Sequence, residues 1–286
     1  MKNNCLLLLL LFGTLSVPGQ ELRVMTYNIR YATSRDGENQ WENRKEFLCE
    51  QIRFHDPDLF GVQEGLHEQV DFVQKYLERY AFVGVGRDDG ESRGEYCAIF
   101  FHRDRLKLKK QGTFWLSETP DRVSKGWDAA LPRIATYAFL QERVSGREFL
   151  VVNTHFDHIG ENARKQSAVL LVEKIMELNA EALPLILMGD LNLNEKSNPV
   201  TYLSSRYLDA REASEARPFG PFGTFNNFNP CDPPGDRIDY IFVTRGIRVK
   251  RYAVFSDHRD GRYPSDHFPV FASLELPVTG VEPEVE

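Results

Sequence analysis

Eight side chains suited to phosphate chemistry fall at the ends of apolar runs. Asn28 closes Val24-Met25-Thr26-Tyr27-Asn28, and Glu64 closes Leu59-Phe60-Gly61-Val62-Gln63-Glu64. His155 ends Leu150-Val151-Val152-Asn153-Thr154-His155, while Asp190 and Asn192 end Leu185-Ile186-Leu187-Met188-Gly189-Asp190-Leu191-Asn192. Asp239 opens Asp239-Tyr240-Ile241-Phe242-Val243, and Asp266 and His267 precede Phe268-Pro269-Val270-Phe271. Sites in α/β folds collect at strand ends, where the backbone is held rigid. Brought together, these points supply four carboxylates, two carboxamides and two imidazoles. A hard cation such as Mg2+, or Mn2+ in its place, takes carboxylate oxygens and water. A phosphoryl centre needs its charge neutralised, a water activated and a donor for the leaving oxygen. No cysteine joins the set, which disfavours a soft-metal centre.

Each piece alone has an ordinary reading. Glu64 can be a charge at a helix N-terminus, Gly189-Asp190-Leu191-Asn192 a turn, Ser265-Asp266-His267 a surface loop, and His155 a satisfied core histidine. Asp239 resists this, because a carboxylate at the mouth of an apolar strand is costly to bury without a partner. The joint occurrence carries the functional reading. Trp41, Trp115 and Trp127 have the chemistry to stack on a base or sugar. Their scatter favours packing and argues against a carbohydrate-binding face. His55, His67, His102, His158 and His258 read as surface or packing residues, with His158 close enough to His155 to matter.

The elements that must position these groups read as an α/β pattern. Strands are expected at Arg23–Tyr31, Asp58–Gln63, Tyr96–Arg103, Arg133–Glu142, Phe149–His155, Leu185–Gly189 and Asp239–Thr244. Most are continuous apolar runs, as for strands covered on both faces. Helices are expected at Asn43–His55, His67–Leu77 and Glu161–Ala180; the last carries an apolar stripe of Ala168, Leu171, Val172, Ile175 and Leu178. Strand pairs in the middle and at the end point to mixed sheets. The stretches 84–95, 117–132 and 214–236, rich in Gly, Pro and charge, read as functional loops.

Length and composition bound the rest. The 286 residues, 42% hydrophobic and 27% charged, suit one large domain, expected over 20–276. Lys2 followed by the apolar run Leu6–Phe12 reads as a secretory signal over residues 1–19, cut after Gly19, so a secreted or periplasmic location is expected. Residues 277–286 read as a disordered tail. No other segment is apolar enough for membrane insertion. The net charge of −7 offers no bulk attraction for polyanions, though a local basic site can still hold a phosphate. Cys49, Cys97 and Cys231 show no metal-like spacing and ask for no disulfide.

Thr26-Tyr27-Asn28-Ile29-Arg30, Val62-Gln63-Glu64, Asn153-Thr154-His155, Gly189-Asp190-Leu191-Asn192, Arg237-Ile238-Asp239-Tyr240 and Ser265-Asp266-His267-Phe268-Pro269-Val270 together resemble the motif series of the endonuclease/exonuclease/phosphatase superfamily, the deoxyribonuclease I-like metal-dependent phosphoesterases. The resemblance implies a four-layer α/β sandwich, two packed mixed sheets flanked by helices. It implies Glu64 as the principal Mg2+ ligand with Asn28 and Asp266, and Asp190 as the group that orients or deprotonates the attacking water. Asn192 would bond the phosphate. His267, oriented by Asp239, would contact or protonate phosphate oxygens, and His155 would be the second histidine. Glu95 resembles a carboxylate that supports that histidine, and Arg30 and Arg133 resemble substrate contacts; Arg133 can also be read as a solvated strand-edge charge. A monomeric Mg2+-dependent hydrolase of phosphate esters is the expectation, with a phosphodiesterase or nuclease first. A phosphomonoesterase, or a sphingomyelinase or inositol-phosphatase activity, is the alternative. A non-catalytic binding protein on the same fold ranks lower, because Glu64, Asp190 and His267 are all present.

Overall fold

The structure is a computed structural model and describes residues 21–277. Twelve strands and four α-helices are present among them: β1 Leu22–Asn28, α1 Trp41–His55, β2 Leu59–Gln63, α2 His67–Tyr76, β3 Tyr80–Val83, β4 Ile99–His102, β5 Leu106–Trp115, β6 Ile134–Glu142, β7 Glu148–His155, α3 Glu161–Leu178, β8 Leu185–Asp190, α4 Asn198–Arg206, β9 Leu208–Asp209, β10 Asp239–Val243, β11 Arg248–Val254 and β12 Val270–Glu275. They form two six-stranded mixed sheets, ordered β11-β12-β1-β2-β4-β3 and β5-β6-β7-β8-β10-β9. Each contains one parallel pair, β1 with β2 and β7 with β8.

The continuous apolar runs are explained by what covers each face. In β8, Ile186 and Met188 enter the core between the sheets, while Leu185 and Leu187 pack with Leu171, Ile175 and Leu203 of α3 and α4. In β1, Val24 faces the other sheet while Met25 and Tyr27 meet Leu48, Ile52 and Val73 of α1 and α2. Successive side chains of a strand point to opposite faces, so a strand between two apolar layers has no polar phase. The layers are therefore helices, sheet, sheet, helices.

The expected helices and seven expected strands are all found, with ends shifted by a few residues. The sequence reading passed over β3, β5, β11, β12, α4 and the short β9. β5 is an edge strand whose Lys107, Lys109 and Lys110 break the apolar signal; charge on an edge prevents stray pairing. β11 is likewise an edge strand carrying Arg248, Lys250 and Arg251. α4 hides behind Pro199 at its first turn and a polar Thr-Tyr-Leu-Ser-Ser run. The expected signal segment and the tail beyond Pro277 lie outside the described residues. No helix among the described residues is long and apolar enough to cross a membrane.

A polar seam crosses the otherwise apolar space between the sheets. Asn153 of β7 donates its side-chain amide to the carbonyls of Val62 and Ala98 at 2.9 Å each. Gln63 donates to Asn153 Oδ1 at 2.6 Å and to Thr26 Oγ1 at 3.0 Å. The contact needs Gly61: a Cβ there would fall 2.7 Å from Asn153 Cγ and 2.8 Å from Met188 Cε. Replacing Asn153 by Leu strips partners from buried polar groups, at about 1–3 kcal/mol for each group left unsatisfied. We expect Asn153→Leu to lower the calorimetric melting temperature by roughly 5–10 °C. An unchanged melting temperature would mean the seam does not hold the sheets.

Candidate active site

Register places the chemistry before any side chain moves. In the second sheet, His155 pairs with Asp190 across the parallel β7–β8 ladder, and Asp190 pairs with Asp239 across antiparallel β8–β10. Three neighbouring strands thus present His155, Asp190 and Asp239 in one row. In the first sheet Asn28 pairs with Gln63, the residue before Glu64. Asp266 and His267 arrive on the segment leading into β12, which lies beside β1. Gly189 allows Asp190 its place, because a Cβ at that glycine, with φ +146°, would lie 1.9 Å from Thr154 O.

The two half-sites meet in a cleft of about 650 Å3. Glu64, Glu95, Arg30, Arg133, His155, Asp190, Asn192, Asp266 and His267 line it, with Asn28 and Asp239 buried behind them. All eight residues of the strand-end reading, with Arg30, Arg133 and Glu95, therefore converge. Asn28 joins the halves: its side-chain amide donates to Glu64 Oε1 at 3.1 Å and to Asp190 Oδ2 at 3.0 Å. Arg30, Glu64 and Asn192 all have positive φ, 55°, 62° and 50°. Such backbone costs on the order of 1–3 kcal/mol per non-glycine residue and gathers at functional sites.

Several anchors carry no sequence signal. Arg44, 4% exposed, donates to the carbonyls of Ile29, Arg30, Asn39 and Pro264, tying the turn after β1 to the segment before Asp266. It sits inside a predicted helix, where nothing in the pattern marks it. Gln69 similarly accepts from Ala32 N and Leu66 N and donates to Arg30 O. The three segments expected as functional loops supply Arg87 and Glu95, Leu131, and Phe225, Asn227 and Asp236 to the region.

The electrostatics separate the titrating groups. Burial alone would make His267 neutral, but Asp239, whose Oδ2 lies 2.9 Å from Nδ1, outweighs it together with Asp190 and Asp266, holding the ring at about 10. Burial and the facing Asp239 charge push Asp190 up to about 7, against the pull of His267 and bonds from Asn192 N and Asn28. Burial, and then the charges of Arg133, Arg87 and His267, keep His155 neutral, well below the usual imidazole range. Burial also raises Asp266, and the neighbouring Glu64 charge adds to it.

The sequence-expected contacts fare differently. Glu95 gives both oxygens to Arg87 at 2.6 and 2.8 Å and stands 4.0 Å from His155 Nδ1. Arg133 faces that nitrogen instead, at 3.2 Å. The direct Glu95 support for His155 is thus replaced by an Arg133 contact, because a guanidinium has captured the carboxylate. Arg133 itself is 4% exposed, so the solvated-edge reading does not hold. Arg30 is bonded twice to Asp36 and lies 3.9 Å from Glu64 and 3.7 Å from Asp266. Trp41 and Trp115 are buried in cores, as packing residues. His158, read as ordinary, lines the cleft; its place three residues after His155 was the signal.

The donor set fits a hard divalent cation. Glu64 and Asp266 face one another at the Arg30 end, their charges close enough to raise Asp266, and no thiol lines the cleft. Asp190, Asp239 and His267 also bring one ligand-type atom each within 4.8 Å of one another. His267 Nδ1 and Asp239 Oδ2 already engage one another at 2.9 Å, which favours the Glu64–Asp266 end.

Known proteins place this geometry. Over 90% of this chain and 98% of its own, an endonuclease/exonuclease/phosphatase family protein from Bacteroides thetaiotaomicron superposes with TM-score 0.86 and 40% identity. A mannosyl-6-phosphatase of Bacteroides thetaiotaomicron VPI-5482 gives TM-score 0.86 and 40% identity over 89% of this chain and 100% of its own. Nocturnin of Drosophila melanogaster is 27% identical over 91% of this chain and 47% of its own length. The chain spans about half the length of the curated relatives it matches first. The profile of the Endonuclease/Exonuclease/phosphatase family matches residues 25–267, and the chain belongs to that family.

Proposed function

We propose that this chain is a divalent-metal-dependent phosphoesterase acting on small phosphate monoesters, with sugar phosphates as the substrate class. The observation that carries the reading is the convergence of Glu64, Asp190, Asp239 and Asp266 with His155 and His267 around one cleft. The monoester choice is supported by the 40% identity to a mannosyl-6-phosphatase over nearly the whole fold. It is supported too by the net charge of −7 and by Asp236 at the cleft, both unfavourable to a polyanion. The phosphodiesterase or nuclease placed first on sequence becomes the second reading. The exoribonuclease subunit Ccr4 of Mycosarcoma maydis favours it, at 24% identity over 56% of this chain.

Each residue then has a role. Glu64 and Asp266 would hold Mg2+ or Mn2+, with Asn28 fixing Glu64 against Asp190. A cation held there would supply charge neutralisation at the phosphate oxygens. Asp190, near neutrality in its acidity, takes the proton of the attacking water. His267, charged and steered by Asp239, directs Nε2–H to a phosphate oxygen. Asn192 and the neutral His155, 3.0 Å apart, bind another oxygen, and Arg133 and Arg30 add donors at the rim. Export completes the proposal, from Lys2 and the Leu6–Phe12 run; sequencing of exported protein should start at Gln20.

Phosphate release from mannose 6-phosphate should require Mg2+ or Mn2+ and vanish with chelator, whereas plasmid DNA and RNA stay intact. Asp190→Ala should lower kcat by about 10^2- to 10^4-fold. Faster cleavage of DNA or RNA than of sugar phosphates would instead establish the second reading. Activity on the acid side should fall as pH drops through 7 or below, because protonated Asp190 cannot accept a proton, and a cation only pulls its value down. The alkaline limb should lie near 10, where His267 loses its proton. Asp239→Asn removes the counter-ion that raises His267 and the charge that raises Asp190. Both limbs of the profile should move to lower pH; unmoved limbs would count against these assignments.

A further inference from the structure

Arg133 contacts two histidines at once. Its Nη1 lies 3.2 Å from His155 Nδ1, and its Nη2 lies 2.9 Å from His158 Nδ1. Its Nε donates to Asp157 Oδ2 at 3.3 Å. Asp157, 1% exposed, also accepts from the backbone N–H of Leu131, Ile159 and Gly160, so the guanidinium is fixed in plane and direction. A guanidinium has no acceptor atom and keeps its charge. Each Nδ1 that faces it must therefore offer a lone pair. A neutral imidazole in that position carries its one proton on Nε2.

The two rings use that proton in different places. His155 is 4% exposed, and its Nε2–H is turned to the Asp190 carboxylate, 3.5 Å away at the floor of the cleft. His158 is exposed on the cleft wall, and its Nε2 meets no hydrogen-bond partner among the described residues. A monoester with its phosphate against Asp190 and Asn192 projects its alcohol portion away from that floor. Asp236 and Asn227 line the same cleft. A fixed donor together with a carboxylate acceptor suits hydroxyl groups, which both accept and donate. We propose that His158 is a specificity residue whose Nε2–H, oriented by Arg133, donates to a hydroxyl or ring oxygen in the alcohol portion of the substrate. The proposal rests on the monoesterase reading and deepens it.

The test uses two substrates that differ only beyond the phosphate: mannose 6-phosphate, rich in hydroxyls, and phenyl phosphate, with none. His158→Ala should lower kcat/KM for mannose 6-phosphate by about tenfold, mainly through KM, the effect of one hydrogen bond. Phenyl phosphate turnover should stay within about twofold of the parent enzyme. His158→Gln, whose amide can put a donor near the same point, should recover part of the loss. Equal losses on both esters, or no loss on either, would overturn the role of His158 while leaving the monoesterase reading intact. A parent enzyme that releases phosphate from neither ester with Mg2+ or Mn2+ would overturn both.

Discussion

Two side-chain amides hold the sheets at one spacing, and the site exists because of it. Asn153 reaches from β7 to the carbonyls of Val62 and Ala98, and Asn28 reaches from β1 to Asp190 at the end of β8. The apolar core between the sheets is large, but hydrophobic burial is non-directional and does not by itself choose a register. Directed bonds in a low-dielectric interior do, because leaving either partner unmatched is costly. Asn153 stands two residues before His155, and Asn28 two before Arg30. The bonds that align the sheets are thus continuous with the strands that present the reacting groups.

The half-sites are chemically unequal. The first sheet and its loops bring Asn28, Glu64, Asp266 and His267. The second brings His155, Asp190, Asn192 and Asp239. Packing this many carboxylates together is unfavourable unless cations answer them. Asp239 is answered by His267, Glu95 by Arg87, and Glu64 and Asp266 in part by Arg30. Asp190 receives neutral donors from Asn28 and Asn192 N, with the neutral His155 ring at 3.5 Å and the charged His267 ring farther off at 3.8 Å. That leaves it the carboxylate most ready to gain a proton, which suits a base working near neutrality.

Arg44 shows how far the support extends. A buried guanidinium bonded to four backbone carbonyls is an unusual use of charge, and burial lowers it to about 10. It replaces a web of turns with one rigid fork and braces the turn after Asn28 against the chain entering Asp266. Strained backbone at Arg30 and Glu64 persists because Arg44, Gln69 and Asn28 over-determine it.

Much of this was readable before any coordinates. Apolar runs ending in Asn28, Glu64, His155 and Asp190 marked both the central strands and the reacting groups, because strands buried on two faces lose their polar phase and turn polar only where they end. The stripe on α3 was equally plain. Edge strands β5 and β11 were not, since a strand with one neighbour can carry lysines and arginines without loss. Contacts between distant segments stayed hidden for a different reason: residue type alone does not fix a partner. Glu95 looked like support for His155, yet Arg87, eight residues away around a turn, reached it first. His158 reads as an ordinary residue in the sequence and Asp157 carries no signal there; Arg133, folded in to 4% exposure, bonds to both. Local chain chemistry determined which groups sit at strand ends; only the packing of one sheet on the other decided which of them touch, and so which donate and which titrate.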